Sequence, residues 1–218
     1  MGQTLIDAGV YDAQEVSHLL AHHVDCVVRW SAPDGKGRPA IVAPSLDRAF
    51  SFVDLVSLAV VAVLWDRDVS EADMRNGVVL LAQETGFDKP FAHQQVIEML
   101  ATCGTSLLAN LRGGWFDIGK GGQGAFEEVI KLYFRSISYD DVGVARLWRP
   151  APLVLLDPRI QAGAPCIEGT RIPTETIASM LDADSAASVG NELDLTSEQV
   201  EAAAAFEAAL GEGRGLAA

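Results

Sequence analysis

Cysteine is scarce and scattered: Cys26, Cys103 and Cys166 stand far apart, with no C-x-x-C pair among them. An odd count at such spacings excludes a disulfide framework and a zinc ribbon, leaving ordinary thiols. Long hydrophobic runs are lacking too. The most apolar stretch, Val53 to Trp65, is shorter than the ~20 residues a membrane helix needs. No basic start with an apolar run and a small-residue cleavage site opens the chain. The expectation is a cytoplasmic globular protein without a membrane partner. Basic residues are few: 16 Lys and Arg against 30 Asp and Glu, a net charge of −14. That excludes a surface gripping nucleic acid all round, because phosphate binding is carried by clustered cations. Any DNA contact has to come from one local face.

What is present is enough apolar material, 49% of 218 residues, to bury a real core in one large domain or two to three small ones. The acidity is uneven. Residues 151–218 hold three Arg and eleven Asp or Glu, whereas residues 1–50 hold four Lys or Arg and six acids. The C-terminal third therefore carries most of the excess, either for solubility or for electrostatic pairing with a basic partner.

Helix starts are legible because one device recurs. Asp12 with Glu15, Ser51 with Asp54, Ser70 with Asp73 and Thr196 with Gln199 each set a capping oxygen three residues before a side chain that can reach back. An apolar residue before each cap (Tyr11, Phe50, Val69, Leu195) faces one at the fourth helical position (Val16, Leu55, Met74, Val200), forming a hydrophobic staple. The first helix is expected from Ala13 to Ala21 and a second from Val24 to Trp30, joined by a tight turn at His22 and His23, which reads as a helix-turn-helix. Residues 31–50 supply Gly, Pro and Asp breakers around the apolar run Ala40–Ala43, as in a two-stranded wing. The next helix, apolar nearly all round, belongs at the buried centre; another runs from the Ser70 cap to Gly86.

Beyond Phe87 the pattern changes to a small α+β unit. A helix near Phe91–Leu100 precedes a β-hairpin over residues 105–119 and an amphipathic helix over 124–137, and then "ARLWRP" and "LVLLDP" read as strands. The last part holds a loop rich in Gly, Pro and Arg, a helix from Pro173 to Leu181, a linking stretch around Gly190, and a capped helix from Ser197 to Leu210. The expected division is 1–86, 87–150 and 151–211, with 212–218 a flexible tail.

Residues 11–86, with Tyr11 before a capped helix, Arg29-Trp30 ending the second and "VSEADMR" starting another, resemble the winged helix-turn-helix of MerR-type regulators. The stretch from "LLDPRIQAGAPCIEGTRIP" to "LTSEQVEAAAAFEAAL" resembles the family catalogued as domain of unknown function 433: a strand before Asp157-Pro158, a Gly163 and Pro165 turn, Gly169 to Pro173, and Leu195-Thr196 before an Ala-rich helix. It departs at Ala164-Pro165, where the family has glycine first, and in residues 182–195. The resemblance implies a VapB-type antitoxin, which neutralises a PIN-like ribonuclease toxin and represses its own operon, as a homodimer or a toxin-antitoxin hetero-oligomer. The fold implied is α+β and mostly α: a MerR-like winged helix-turn-helix, a middle α+β unit, and a C-terminal helix-turn-helix-like domain of short helices.

On that reading His23, Asp25 and Arg29 contact DNA bases or phosphates from the second helix, and Lys36 and Arg38 contact phosphates from the wing. The plainer alternative pairs Arg29 with a local acid and leaves Trp30 only packing. Toxin contact falls to Glu192, Asp194, Glu198 and Glu201, with Arg171 or Arg214 reaching the nuclease carboxylates. Arg159 and Arg171 also read as ion pairs bracing their own turn. Other motifs are weaker. Gly114–Gly121 nearly meets phosphate-loop spacing but ends without Ser or Thr. His18, His22, His23 and Cys26 have metal-ligand chemistry but a broken spacing. Asp66, Asp68, Glu71 and Asp73 crowd into one capped turn, so no nuclease is expected from them. No enzyme, cofactor or metal is expected. A second reading is a ligand-sensing regulator with Trp115, Phe116, Tyr133 and Trp148 lining its pocket.

Overall fold

In the computed structural model, which describes residues 8–103, 134 and 136–216, each of the four capping residues opens a helix. Asp12 accepts from Gln14 and Glu15 N–H groups to start α1 (Ala13–Leu20). Ala21 then turns left-handed, at φ 54°, and His23 caps α2 (Val24–Ser31). Ser51 opens α3 (Phe52–Trp65) and Ser70 opens α4 (Glu71–Thr85). The reciprocal box is complete at Asp12, Ser51 and Thr196. At Ser70 the hydroxyl instead donates to the Asp73 carboxylate at 2.5 Å. Tyr11 with Val16, Phe50 with Leu55, and Val69 with Met74 are all buried, as staples require.

The apolar run of α3, broken only by Asp54 and Ser57, makes it the core. Every residue from Asp54 to Leu64 is buried, and each buried Leu or Val there contributes about 1.5–3 kcal/mol. Its one buried carboxylate, Asp54, is matched by an ion pair with Lys89 at 2.6 Å and hydrogen bonds from Ser45 and Ser51. That cluster ties the loop before α3 to the helix itself.

The expected two-stranded wing is not formed. Residues 31–50 contain only the isolated bridges Leu46↔Ala49 and, to the first helix entry, Tyr11↔Phe50. The reason is that the loop's backbone groups find other partners. Ile41 and Val42 N–H groups bond the Trp30 carbonyl, the Asp34 carboxylate accepts from Lys36 and Arg38 N–H groups, and Pro39 offers its carbonyl to a buried arginine.

A single 3-10 turn, Pro90–Ala92, leads into α5 (Gln94–Cys103). The hairpin expected over 105–119 lies outside the described residues. Of the helix expected over 124–137, Phe134 is helical and buried, while Ile137 already belongs to a strand. That strand, β1 (Ile137–Tyr139), begins an antiparallel meander with β2 (Ala145–Ala151), β3 (Val154–Leu156) and β4 (Cys166–Ile167), in that spatial order. Trp148 sits opposite both Ile137 and Leu156, and Val154 opposite Ile167. β2 carries the chain across residues 150 and 151, so the sheet is shared by both sides of that point.

The rest is helical. Pro173 presets the entry to α6 (Thr174–Leu181), and Thr196 caps α8 (Ser197–Gly211). Between them, residues expected to link the two form α7 (Ala186–Leu193), capped by Ser185 and closed by left-handed Asp194. Gly190 is what lets α7 fit, since a Cβ there would stand 3.0 Å from the Leu195 carbonyl. Ile167, Ile177, Val189, Val200 and Ala203 form a second buried cluster under these helices. Phe206, Leu210 and Leu216 instead join the main core. Leu216, in the stretch expected as a tail, is buried and donates its N–H to the Leu19 carbonyl at 2.7 Å. No helix among the described residues is long and apolar enough to cross a membrane.

Candidate functional site

α2 presents His23, Asp25, Val28 and Arg29 outward. Three of the five side chains expected to meet DNA are engaged with acids of their own chain. His23 Nδ1 lies 3.2 Å from Asp25. Arg29 pairs with Glu71 and lies over the Trp65 ring at 5.4 Å. Arg38 pairs with Asp34 at 2.6 Å. Lys36 is the exposed cation of the set with no ion pair among the described residues. The Arg38 backbone N–H first, then its guanidinium and the Lys36 N–H, hold the Asp34 carboxyl down at about 2. Trp30 is fully buried. The plainer reading of Arg29 and Trp30 thus describes their geometry.

Sequence reasoning missed Arg75, which organises this face from beneath. It is 1% exposed, and its guanidinium donates to the carbonyls of Arg29, Ala32 and Pro39 at 2.7, 2.8 and 2.5 Å. One buried cation therefore fixes the C-terminus of α2 and the loop after it, where the helix leaves carbonyls unpaired. Glu71 lies 3.9 Å from Arg75 and also takes Arg29. The only signal in sequence was Glu71 and Arg75 at i, i+4 on one helix, a spacing that usually marks a solvated pair.

In the C-terminal unit, Asp157 accepts from Arg159 Nε at 2.9 Å and from its Nη2 at 2.5 Å, with the Arg159 N–H at 2.9 Å. The side-chain bond from Arg159, more than any other contact, holds the Asp157 carboxyl below its ordinary value. Arg159 is a turn brace, as expected. Arg171 is not: it is exposed, no carboxylate pairs with it among the described residues, and only its carbonyl is used, by the Gln161 side chain. Burial pushes the nearby Cys166 thiol up to about 11, against the pull of Arg171. Ala164 fills the family's glycine position without strain because its φ of −57° and ψ of 146° suit any residue before proline.

The same loop joins the two halves of the molecule. Gln161 and Ala162 take left-handed φ values of 48° and 54°. They aim the Ala162 carbonyl at Val10 N–H (2.8 Å) and the Gly163 carbonyl at the Tyr11 hydroxyl (2.8 Å). Burial, then the Glu15 charge, raises the Tyr11 phenol well above its ordinary value, so it remains a donor. Beside this seam α1, the loop, α6 and α8 enclose a cleft of about 380 Å³.

Around α6 to α8, Asp182, Asp184, Glu192, Asp194, Glu198 and Glu201 are all exposed. None forms an ion pair among the described residues. The four acids expected to face a toxin are thus exposed and without an ion pair among the described residues, while Arg214 is turned to Glu212 at 2.5 Å. The histidines do not converge. His22 lies edge-on to Trp30 and 3.6 Å from Asp66, His23 caps α2, and Cys26 lies 3.7 Å from Arg29. Among the described residues no three His, Cys, Asp or Glu side chains are placed to hold a metal. Trp148 is buried and stacked on Phe134 at 5.9 Å, so it lines no open pocket; Gly114–Gly121, Trp115, Phe116 and Tyr133 lie outside the described residues.

This architecture has relatives. Residues 154–206 match the family described as Protein of unknown function (DUF433). The match spans β3 to the middle of α8, the segment that holds the loop, the Arg159 brace and the acidic surface. The crystal structure of Rv2018 from Mycobacterium tuberculosis superposes with a TM-score of 0.66 at 21% identity, over 90% of this chain and 98% of that one. At that identity the likeness shows the fold, not the function. No curated protein matches the chain.

Proposed function

We propose that the chain is the antitoxin of a type II toxin-antitoxin pair, which neutralises a cationic PIN-like ribonuclease and binds its own operator through the MerR-like face of α1 and α2. The observation that carries this reading is the set of seven exposed carboxylates on and around α6 to α8, Glu175 among them, none in an ion pair among the described residues. A surface so charged destabilises its own domain by self-repulsion, and a basic partner relieves it. The resemblance to family 433 antitoxins supplies the class of that partner.

Inhibition would be steric and electrostatic, with Glu192, Asp194, Glu198 and Glu201 meeting toxin cations. Arg171, with no ion pair among the described residues, is better placed than Arg214 to reach the nuclease's catalytic carboxylates, since Arg214 already holds Glu212. DNA contact is the weaker half of the activity. Because Arg29, Arg38 and His23 each face an acid, Lys36 is the one cation of the expected contact set left without an ion pair among the described residues, and operator binding would require a dimer or the toxin-bound assembly. Co-expression with the adjacent reading frame followed by size-exclusion chromatography tests the reading. A stable complex with a basic protein of about one small domain is expected; two separate peaks at physiological salt would refute it.

A further inference from the structure

The cleft at the seam between the two halves differs from the acidic surface in being concave and partly apolar. Among the described residues no Lys or Arg lines it, and His18 is the one lining residue able to carry positive charge. Val10 and Leu210 supply apolar wall, and Val10 remains 42% exposed although it belongs to the seam. Three carboxylates enter from three different helices: Glu15 from α1, Glu175 from α6 and Glu207 from α8. Each keeps an oxygen for a further donor. Glu15 uses Oε2 for its cap and Glu207 uses Oε1 for Thr174, while Glu175 is exposed without an ion pair among the described residues. The amides of Gln14 and Gln161 complete the rim.

We propose that this cleft receives an arginine side chain of the partner protein, its aliphatic stem against Val10 and Leu210 and its guanidinium among Glu15, Glu175 and Glu207. The inference rests on the antitoxin reading and gives it a specific docking point. Charge complementarity selects the occupant: three acids with no fixed cation among the described lining residues favour a positive group, and the apolar wall favours one carried on a hydrocarbon stem. Arginine suits the site better than lysine because its planar fork offers five donors to acceptors arriving from several sides and is more weakly hydrated. Since α1 and α8 both contribute, occupancy also bridges the two halves of the molecule.

Titration of the full chain with N-acetyl-arginine amide, followed by backbone and side-chain amide NMR shifts, tests the proposal. Shifts are expected at Gln14, His18, Gln161, Ala162 and Glu175, and N-acetyl-citrulline amide, the neutral isostere, should leave them in place. E175Q and E207Q should each weaken the binding about two- to fivefold, the range for partly exposed ion pairs, while E84Q on exposed α4 surface should not. Equal response to citrulline, shifts confined to the α7–α8 acidic surface, or tighter binding of spermidine than of the arginine amide would overturn it. If a basic partner still co-elutes when the arginine amide fails, the cleft is wrong and the antitoxin reading stands. Arginine binding in a chain that captures no partner supports the site and removes that reading.

Discussion

Tyr11 and Gly163 show how much of this fold turns on single atoms. A Cβ on Gly163 would meet the Tyr11 hydroxyl at 2.2 Å, and its φ of 96° disfavours any side chain. G163A should therefore cost about 2–4 kcal/mol, and Y11F, which only removes a hydrogen bond, about 1 kcal/mol. Urea unfolding of the single and double variants should find G163A less costly in the Y11F background, where the hydroxyl is gone. Arg75→Met leaves three carbonyls without their donor and should cost about 2–4 kcal/mol, read in the same way. Glycine and proline in the loop were legible in sequence as turn makers because their conformational preferences are local. Arg75 was not, because nothing in an i, i+4 charge pair tells which member points inward. The Asp157 carboxyl gives a pH test. Its folded value lies below its ordinary 3.8, so its contribution is present above about pH 4 and is lost as pH falls through the folded value. Unfolding midpoints should drop below pH 4 in the wild type, and R159Q should flatten that drop.

The helix caps carried most of what sequence could say about elements. Asp12, Ser51, Ser70 and Thr196 begin helices within a residue of expectation, since a cap and staple act over four residues and need no tertiary information. Thr196→Ala should cost about 1 kcal/mol, measurable as a lower unfolding midpoint. Two elements were misjudged for one shared reason. α7 was hidden because Gly190 reads as a breaker, whereas here it permits close approach to the Leu195 carbonyl. The wing was expected because Gly and Pro framed an apolar run, whereas the carbonyls there are taken by Arg75 and Trp30 accepts from Ile41 and Val42. In each case a long-range contact decided the backbone. The candidate site follows the same division. The acids of α7 and α8 were legible as charge, while the pairing of Arg29 with Glu71, 42 residues apart, was not.

At the scale of the molecule, the two halves are fused through the α1–loop seam, and the charge is left on the far helices. Of the nine acids after Ile172, seven are exposed without an ion pair among the described residues, against one arginine that is already paired. Such a surface should make partner binding steeply salt-dependent, because exposed charges are screened over about 8 Å at physiological ionic strength. The most direct test is growth rescue: cells expressing the adjacent reading frame are supplied with the wild-type chain or with E192Q/D194N/E198Q/E201Q. Both chains should fold alike, since all four side chains are exposed. The wild type should restore growth and the neutralised variant should not; equal rescue by both would contradict electrostatic capture of the partner by these acids.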